Sequence, residues 1–189
     1  MQEHKAIIAA AVRTPFGAYF GAHSKVRPDD LLAFTISELV KKVPNLNLEL
    51  IDDVIMGDSN GAGEDNRKVA RMGALLARLP ETIPGLTLNR LCGSGGEAVI
   101  QASRAIRLGD YNYVIAGGVE SMSRAPWIVE RDSKKKPEQT TDLVLNQSTV
   151  GWRMTNPKFP AEWIQSLGRC AEEVSQRFGI TRKQVDEWS

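Results

Sequence analysis

Hydrophobic and polar positions along the chain switch between two periods. Residues 6–12 form a continuous apolar run, which reads as a buried strand. Over residues 28–43, Leu32, Ile36, Leu39, Val40 and Val43 fall on one helical face, and Pro44 stops the helix. Val54-Ile55-Met56 reads as a short strand, ending in Gly57 and the turn Gly61-Ala62-Gly63. Asp65 or Asn66 is placed to cap the next helix, which carries Val69, Met72, Leu75, Leu76 and Leu79 before Pro80. Residues 86–91 are a third strand. A third helix over about residues 95–108 turns Ala98, Val99, Ala102, Ala105 and Ile106 inward and ends on Gly109. Residues 113–116 are a fourth strand, ending at Gly117-Gly118. This β-α-β-α-β-α-β order predicts an α/β fold with a mainly parallel sheet and helices on its faces. The alanine-rich face of the third helix predicts a tightly sandwiched position.

After Glu120 the pattern changes. Residues 121–165 contain Pro126, Pro137, Pro157 and Pro160, three of the four tryptophans and no clear strand alternation. Trp127, Trp152 and Trp163 need something to pack on, so this stretch reads as an irregular excursion rather than a linker. A later helix gathers Leu167, Cys170, Ala171, Val174 and Phe178 on one face, which predicts core packing for Cys170. Thr181 caps a further helix that begins Arg182-Lys183-Gln184-Val185 and stops at Trp188-Ser189. The domain plan is therefore residues 1–121 as the α/β domain and 122–189 as a partial, irregular and helical extension. A final amphipathic helix of two turns has no room to bury its apolar side, so the chain is expected to be interrupted.

Composition adds exclusions. The chain has 189 residues, 42% hydrophobic and 25% charged, which is ordinary for a soluble domain. Its net charge of +1 argues against a general nucleic-acid binder. Two cysteines make no disulfide framework, and no Cys/His spacing suggests zinc or another metal. No apolar run approaches the ~20 residues of a membrane helix, and the opening residues do not have the form of a signal peptide. A cytoplasmic setting is expected.

The most informative residue is Cys92. It falls between an apolar strand and a helical pattern, and Gly93, Gly95 and Gly96 follow it. Amides at a helix start are unpaired and the helix dipole favours an anion there. A thiol so placed is expected to titrate below its free value of roughly 8.5 and attack as the thiolate. Each glycine inside the helix costs roughly 0.5–1 kcal/mol, so something is expected to approach that backbone closely. The histidines, His4 and His23, belong to no catalytic motif and are expected to be exposed and structural. Gly93-x-Gly95-x-x-Ala98, with Glu120 about 20 residues on, is formally a dinucleotide-binding fingerprint. That fingerprint normally opens the first βαβ unit. Here it follows two units, and it leaves Cys92 unexplained.

Several segments then converge on one family. Asn89-Arg90-Leu91-Cys92-Gly93-Ser94-Gly95 and Ala116-Gly117-Gly118-Val119-Glu120-Ser121-Met122-Ser123 resemble thiolases. Arg13-Thr14-Pro15-Phe16-Gly17 resembles the family's opening signature. Gly63-Glu64-Asp65-Asn66-Arg67 with Val69-Ala70-Arg71-Met72 is similar to its 3-oxoadipyl-CoA branch. Leu167-Gly168-Arg169-Cys170-Ala171-Glu172 and Ile180 to Asp186 resemble its loop domain. The resemblance implies thiolytic cleavage of a 3-ketoacyl-CoA, or the reverse Claisen condensation of acetyl-CoA. It implies Cys92 as the acyl-accepting nucleophile, with its own amide as an oxyanion donor. Ser94 and Gly95 would let the acyl chain lie close to the backbone, and Leu167 and Gly168 would contact the pantetheine of CoA. The family often has His-Met where this chain has Ser166-Leu167. CoA and acyl-CoA esters are then substrates and partners, with no separate cofactor and no metal, and the protein is expected to be a homo-oligomer. A complete thiolase carries a His motif, an Asn motif and a second reactive cysteine that this chain does not contain. The chain alone is expected to acylate at most, and a non-catalytic CoA-binding or interaction module is the alternative. Arg131 with Lys134-Lys135-Lys136 reads as a solvated loop or a phosphate contact. Arg13 and Arg67 read as surface groups or substrate contacts, and Glu120 as the support of a loop or a subunit contact.

Overall fold

The structure is a computed structural model and describes residues 5–130 and 143–189. His4 and the basic run at 131–136 lie outside the described residues. The chain divides into two compact units, residues 1–126 and 127–189.

The first unit holds α1 (Pro28–Lys41), β1 (Asp53–Gly57), α2 (Val69–Leu76), β2 (Gly85–Leu88), α3 (Ser94–Leu108) and β3 (Val114–Gly118). The three strands are parallel in the order β2-β1-β3. Val54 sits opposite Gly85 on one side and Ile115 on the other. β1 is buried along its whole length, as its unbroken apolar run requires of a central parallel strand. Val54 and Met56 point to one face, where Leu32 and Ile36 of α1 and Val69, Ala70 and Ala74 of α2 cover them. Ile55 points to the other, against Ala98 and Ala102 of α3. Ile36, Val54 and Val69 are fully buried, each contributing roughly 1.5–3 kcal/mol. The expected α/β architecture is therefore present, and Gly109 closes α3 in the left-handed conformation (φ 83°).

Two local expectations fail in this unit. Residues 6–12 form no strand: both neighbours of β1 are taken by β2 and β3, the run pairs with neither outer edge, and Ile7 and Ile8 are 79% and 78% exposed. The sheet of this unit thus has three strands, not four. Neither Asp65 nor Asn66 caps α2, which begins at Val69 after Lys68. Asn66 and Arg67 are both left-handed (φ 56° and 62°), which interrupts any helical start before them. The Asp65 carboxylate instead accepts from Gly61 N (3.0 Å) and Gly63 N (2.7 Å).

The second unit contains a short antiparallel pair, β4 (Trp127–Val129) and β5 (Leu145–Gln147), where no strand was expected. Two helices follow, α4 (Leu167–Phe178) and α5 (Arg182–Trp188). Ser166 caps α4 by accepting from Arg169 N. Thr181 and Gln184 close a reciprocal capping box on α5. Neither helix buries a residue, so Cys170 is exposed rather than packed in a core, and Trp127, Trp152 and Trp163 are exposed as well. The apolar stripe of α4 is real, but within the described residues nothing covers it. Phe159 and Trp163 meet as a tilted ring pair, 6.3 Å between centroids.

Candidate active site

Because the three strands are parallel, their carboxyl ends share one edge, the edge where open α/β sheets place their ligands. Asp58 and Ser59 leave β1 there, Asn89 to Gly93 leave β2, and Val119 and Glu120 leave β3. Cys92 is exposed in the middle of this group, one residue ahead of Gly93, the N-cap of α3.

The loop carrying Cys92 is strained and tightly held. Leu91 has φ 48°, a left-handed conformation that costs a non-glycine residue about 1–3 kcal/mol. Its amide donates to Asn89 Oδ1 (2.8 Å). Its carbonyl accepts from Ser94 Oγ (2.6 Å), Ser94 N (3.0 Å) and Ser59 Oγ (2.9 Å). Ser94 Oγ also accepts from Arg90 N (2.8 Å), and Asn89 Nδ2 donates to Ser59 O (2.8 Å). At about 0.5–1.5 kcal/mol net apiece, these bonds outweigh the cost of the Leu91 conformation. Ser59 N in turn donates to Glu120 Oε2 (2.8 Å), so the ends of β1, β2 and β3 are tied through one serine. Glu97, buried in the first turn of α3, is flanked by Arg90 (3.3 Å) and Arg104 (3.9 Å) and accepts from Gln101 Nε2. Its charge suits the positive end of the helix.

The first turn of α3 rests directly on the sheet. A Cβ at Gly57 would lie 2.3 Å from Ser94 C and 2.5 Å from Gly95 N, and one at Gly118 would lie 2.9 Å from Gly57 O and 3.2 Å from Gly95 Cα. The close approach expected at the glycines after Cys92 is thus an approach of helix to strand, and the residues that cannot carry a side chain are Gly57 and Gly118. A Cβ at Gly95 would make only ordinary contacts with Gly117 and Gly118, and one at Gly96 would meet nothing within 4 Å.

The structure brings Cys92, Ser94, Gly95 and Glu120 to one edge. The Ser94 hydroxyl is buried and committed to the loop. Glu120 supports a loop, one of the two roles open to it from sequence. Leu167, 72% exposed, and Gly168 open α4 in the second unit. Arg13 stacks on Phe16 (4.8 Å) and donates to Thr14 O, and Arg67 is exposed. His23 is half-buried rather than exposed, with Nε2 3.1 Å from Pro15 O. A groove of about 660 Å³ runs along α1, lined by Val12, Pro15, His23, Leu31 and Phe34 among others; none of its lining residues belongs to the Cys92 loop.

Two polar clusters were not anticipated. Arg27 grips Asp29 through Nε and Nη2 (2.9 and 2.7 Å) and reaches Glu64 (3.3 Å). Arg124 donates twice to Glu64, and Asn66 donates to Asp29 (3.0 Å). Burial is the largest single influence on Asp29 and would raise its pKa, but the hydrogen bonds and charge of Arg27, with the Asp30 amide and Asn66, together outweigh it and hold the group below its ordinary value. Arg124 likewise holds Glu64 down. The second cluster is Asp58, Asp65 and Glu120. Burial, then the charges of Asp65 and Glu120, push Asp58 up to about 7, against a weaker downward pull from the amides of Gly61 and Asn60.

A parallel sheet that seats a thiol-bearing loop and the first turn of a helix on its carboxyl edge is the layout of the thiolase fold. Residues 6–189 match the family model "Thiolase, N-terminal domain", and the chain belongs to the thiolase family. It is 45% identical over 185 residues to a beta-ketoadipyl-CoA thiolase of Acinetobacter baylyi, covering 97% of this chain and 45% of that protein. It is 46% identical over 186 residues to the 3-oxoadipyl-CoA/3-oxo-5,6-dehydrosuberyl-CoA thiolase of Escherichia coli K12, covering 98% and 46%. Among solved structures, the Bacillus anthracis acetyl-CoA acetyltransferase superposes with TM-score 0.82 at 32% identity, over 98% of this chain and 45% of that one. Human mitochondrial 3-ketoacyl-CoA thiolase in complex with CoA superposes with TM-score 0.78 at 30% identity, over 95% and 44%. The chain spans about half the length of the curated relatives it matches. This membership displaces the dinucleotide-binding alternative.

Proposed function

We propose that this chain is the nucleophile-bearing part of a thiolase that cleaves a 3-ketoacyl-CoA of the 3-oxoadipyl type. The observation that carries the reading is Cys92, exposed directly ahead of α3 on a loop locked at Leu91. The names of the 45–46% identical relatives support the dicarboxylic substrate class, and the CoA-bound human structure supports CoA as partner. Cys92 Sγ attacks the 3-keto carbon, and the resulting alkoxide is met by the Cys92 amide. Collapse breaks the C2–C3 bond, expels acetyl-CoA as an enolate that takes up a proton, and leaves the shortened acyl group as a thioester on Cys92. The thiol of CoA then takes that acyl group and frees Cys92. The proton transfers, each typically giving 10²–10⁴-fold, fall to a His-bearing second part of the whole protein. The same reading has the protein cytoplasmic and a homo-oligomer. The outer edges of β2 and β3, which pair with no strand among the described residues, support self-association.

The test is intact-mass and peptide mapping after incubation with acetyl-CoA. One acetyl group on Cys92 is expected, lost in Cys92→Ser and kept in Cys170→Ser. The chain alone should show no steady-state thiolysis of acetoacetyl-CoA, whereas the longer protein should. Acetylation at Cys170 alone, no acetylation, or multiple turnovers by the 189-residue chain would each overturn the mechanism.

A further inference from the structure

The carboxyl edge holds a second group of side chains that acyl transfer does not use. Asp58 follows β1, Asp65 lies in the β1–α2 turn and Glu120 follows β3, and one oxygen from each lies within 4.8 Å of the other two. Asp65 and Glu120 have backbone donors, from Gly61 and Gly63 and from Ser59. Asp58 has none. It is only 4% exposed, and neither of its carboxylate oxygens meets a hydrogen-bond partner. A buried carboxylate without a donor is among the least favourable states a side chain can take, and here it faces two more carboxylates.

The geometry points to a binding site for one hard divalent cation of calcium size, ligated by Asp58, Asp65 and Glu120. The donor set is oxygen only, which suits calcium or manganese and not zinc, whose protein sites favour nitrogen and sulfur. Oxygens bound at about 2.3–2.6 Å to one calcium ion lie at most about 4.6–5.2 Å apart, and the three carboxylates already meet that limit. Magnesium, at about 2.0–2.1 Å, would need them to close in. The unpartnered Asp58 oxygens supply the strongest ligands, and the amides on Asp65 and Glu120 fix those carboxylates while leaving lone pairs for the ion. The ion would also reach the nucleophile loop. Glu120 holds Ser59, and the Ser59 hydroxyl holds the Leu91 carbonyl, one residue before Cys92.

This site stands independently of the acyl-transfer reading, so the test measures binding and melting, not activity. The protein is treated with EDTA, desalted and titrated at pH 7.5 with CaCl₂, with MgCl₂ as comparator and NaCl at matched ionic strength. Calorimetry should show one calcium per chain. The Tm should rise by several degrees once calcium is at ~100 times Kd, with a smaller rise in magnesium. Asp58→Asn should lose the calcium response, yet be at least as stable as the parent in cation-free buffer, because it removes a buried charge. Exposed Glu120→Gln should also lose the response and serves if Asp58→Asn does not fold. No saturable heat and no Tm rise up to about 10 mM calcium, beyond the weakest range of oxygen-ligand sites, would overturn the proposal. So would undiminished binding in these variants.

Discussion

Gly57→Ala is the sharpest test of how the Cys92 loop is held. The new Cβ would lie 2.3 Å from Ser94 C and 2.5 Å from both Gly95 N and Ser94 O, all of them backbone atoms. Ordinary contact begins near 3.4 Å, so the first turn of α3 must retreat by about 1.1 Å (3.4 − 2.3). β1 cannot move instead, because it is hydrogen-bonded to a strand on each side. Overpacking of this kind costs typically 1–3 kcal/mol. Retreat also stretches the bonds from Ser94 to Leu91 O and from Arg90 N to Ser94 Oγ, each about 0.5–1.5 kcal/mol. Together the loss should be about 2–4 kcal/mol. Gly96→Ala is the matched control: its Cβ would meet nothing within 4 Å, and alanine in place of glycine should gain about 0.5–1 kcal/mol of helix stability. Urea unfolding followed by circular dichroism at 222 nm reads both. Opposite signs are expected, together with slowed acetylation of Cys92 in Gly57→Ala. A Gly57→Ala protein within about 0.5 kcal/mol of the parent, a change typical of an indifferent surface site, would refute the seating of α3 on the strand.

Asp29→Asn should destabilise the protein by about 1–3 kcal/mol at neutral pH, since the carboxylate anchors charged hydrogen bonds. Because its folded pKa is depressed, the Asp29 contribution is complete above the unfolded value of about 3.9 and is lost as pH falls through the folded value. Unfolding midpoints taken from pH 7 down to pH 2 should therefore fall more steeply for the parent than for Asp29→Asn, and parallel curves would contradict this. Both thiols should react with Ellman's reagent in the folded protein, because Cys92 and Cys170 are both exposed. A single reactive thiol would show that the α4 stripe is covered in solution.

Much of the first unit is legible in the sequence. Leu32 and Ile36 at helical spacing, the unbroken Val54-Ile55-Met56 run and the Ala98/Ala102 face each report burial against one neighbour, and local pattern encodes that directly. Residues 6–12 misled for the opposite reason. An apolar run shows what could be buried, not what it pairs with: both flanks of β1 are taken, and the run leaves the outer edges of β2 and β3 unpaired. Cys170 misled in the same way: its stripe is correct, its cover is not among the described residues. In the site, the position of Cys92 ahead of a helix follows from strand, glycine and helix patterns. The left-handed Leu91, its hold by Ser59 and the meeting of Asp58 with Asp65 and Glu120 do not, because they join segments far apart in sequence. Only Gly57 and Gly118, glycines ending two paired parallel strands, carried a trace of the close packing.

The ties through Ser59 also set a clock. Its bonds to Leu91 and Asn89 span 32 and 30 residues, and its bond to Glu120 spans 61. None can form until both partners exist. On the ribosome, Glu120 is added 28 residues after Cys92 (120 − 92), about 1.5–6 s at 5–20 residues per second. Through that interval the thiol sits in a segment that lacks its final brace. The shape that presents Cys92 is thus a late product of synthesis, completed by the third strand rather than by the residues beside the cysteine.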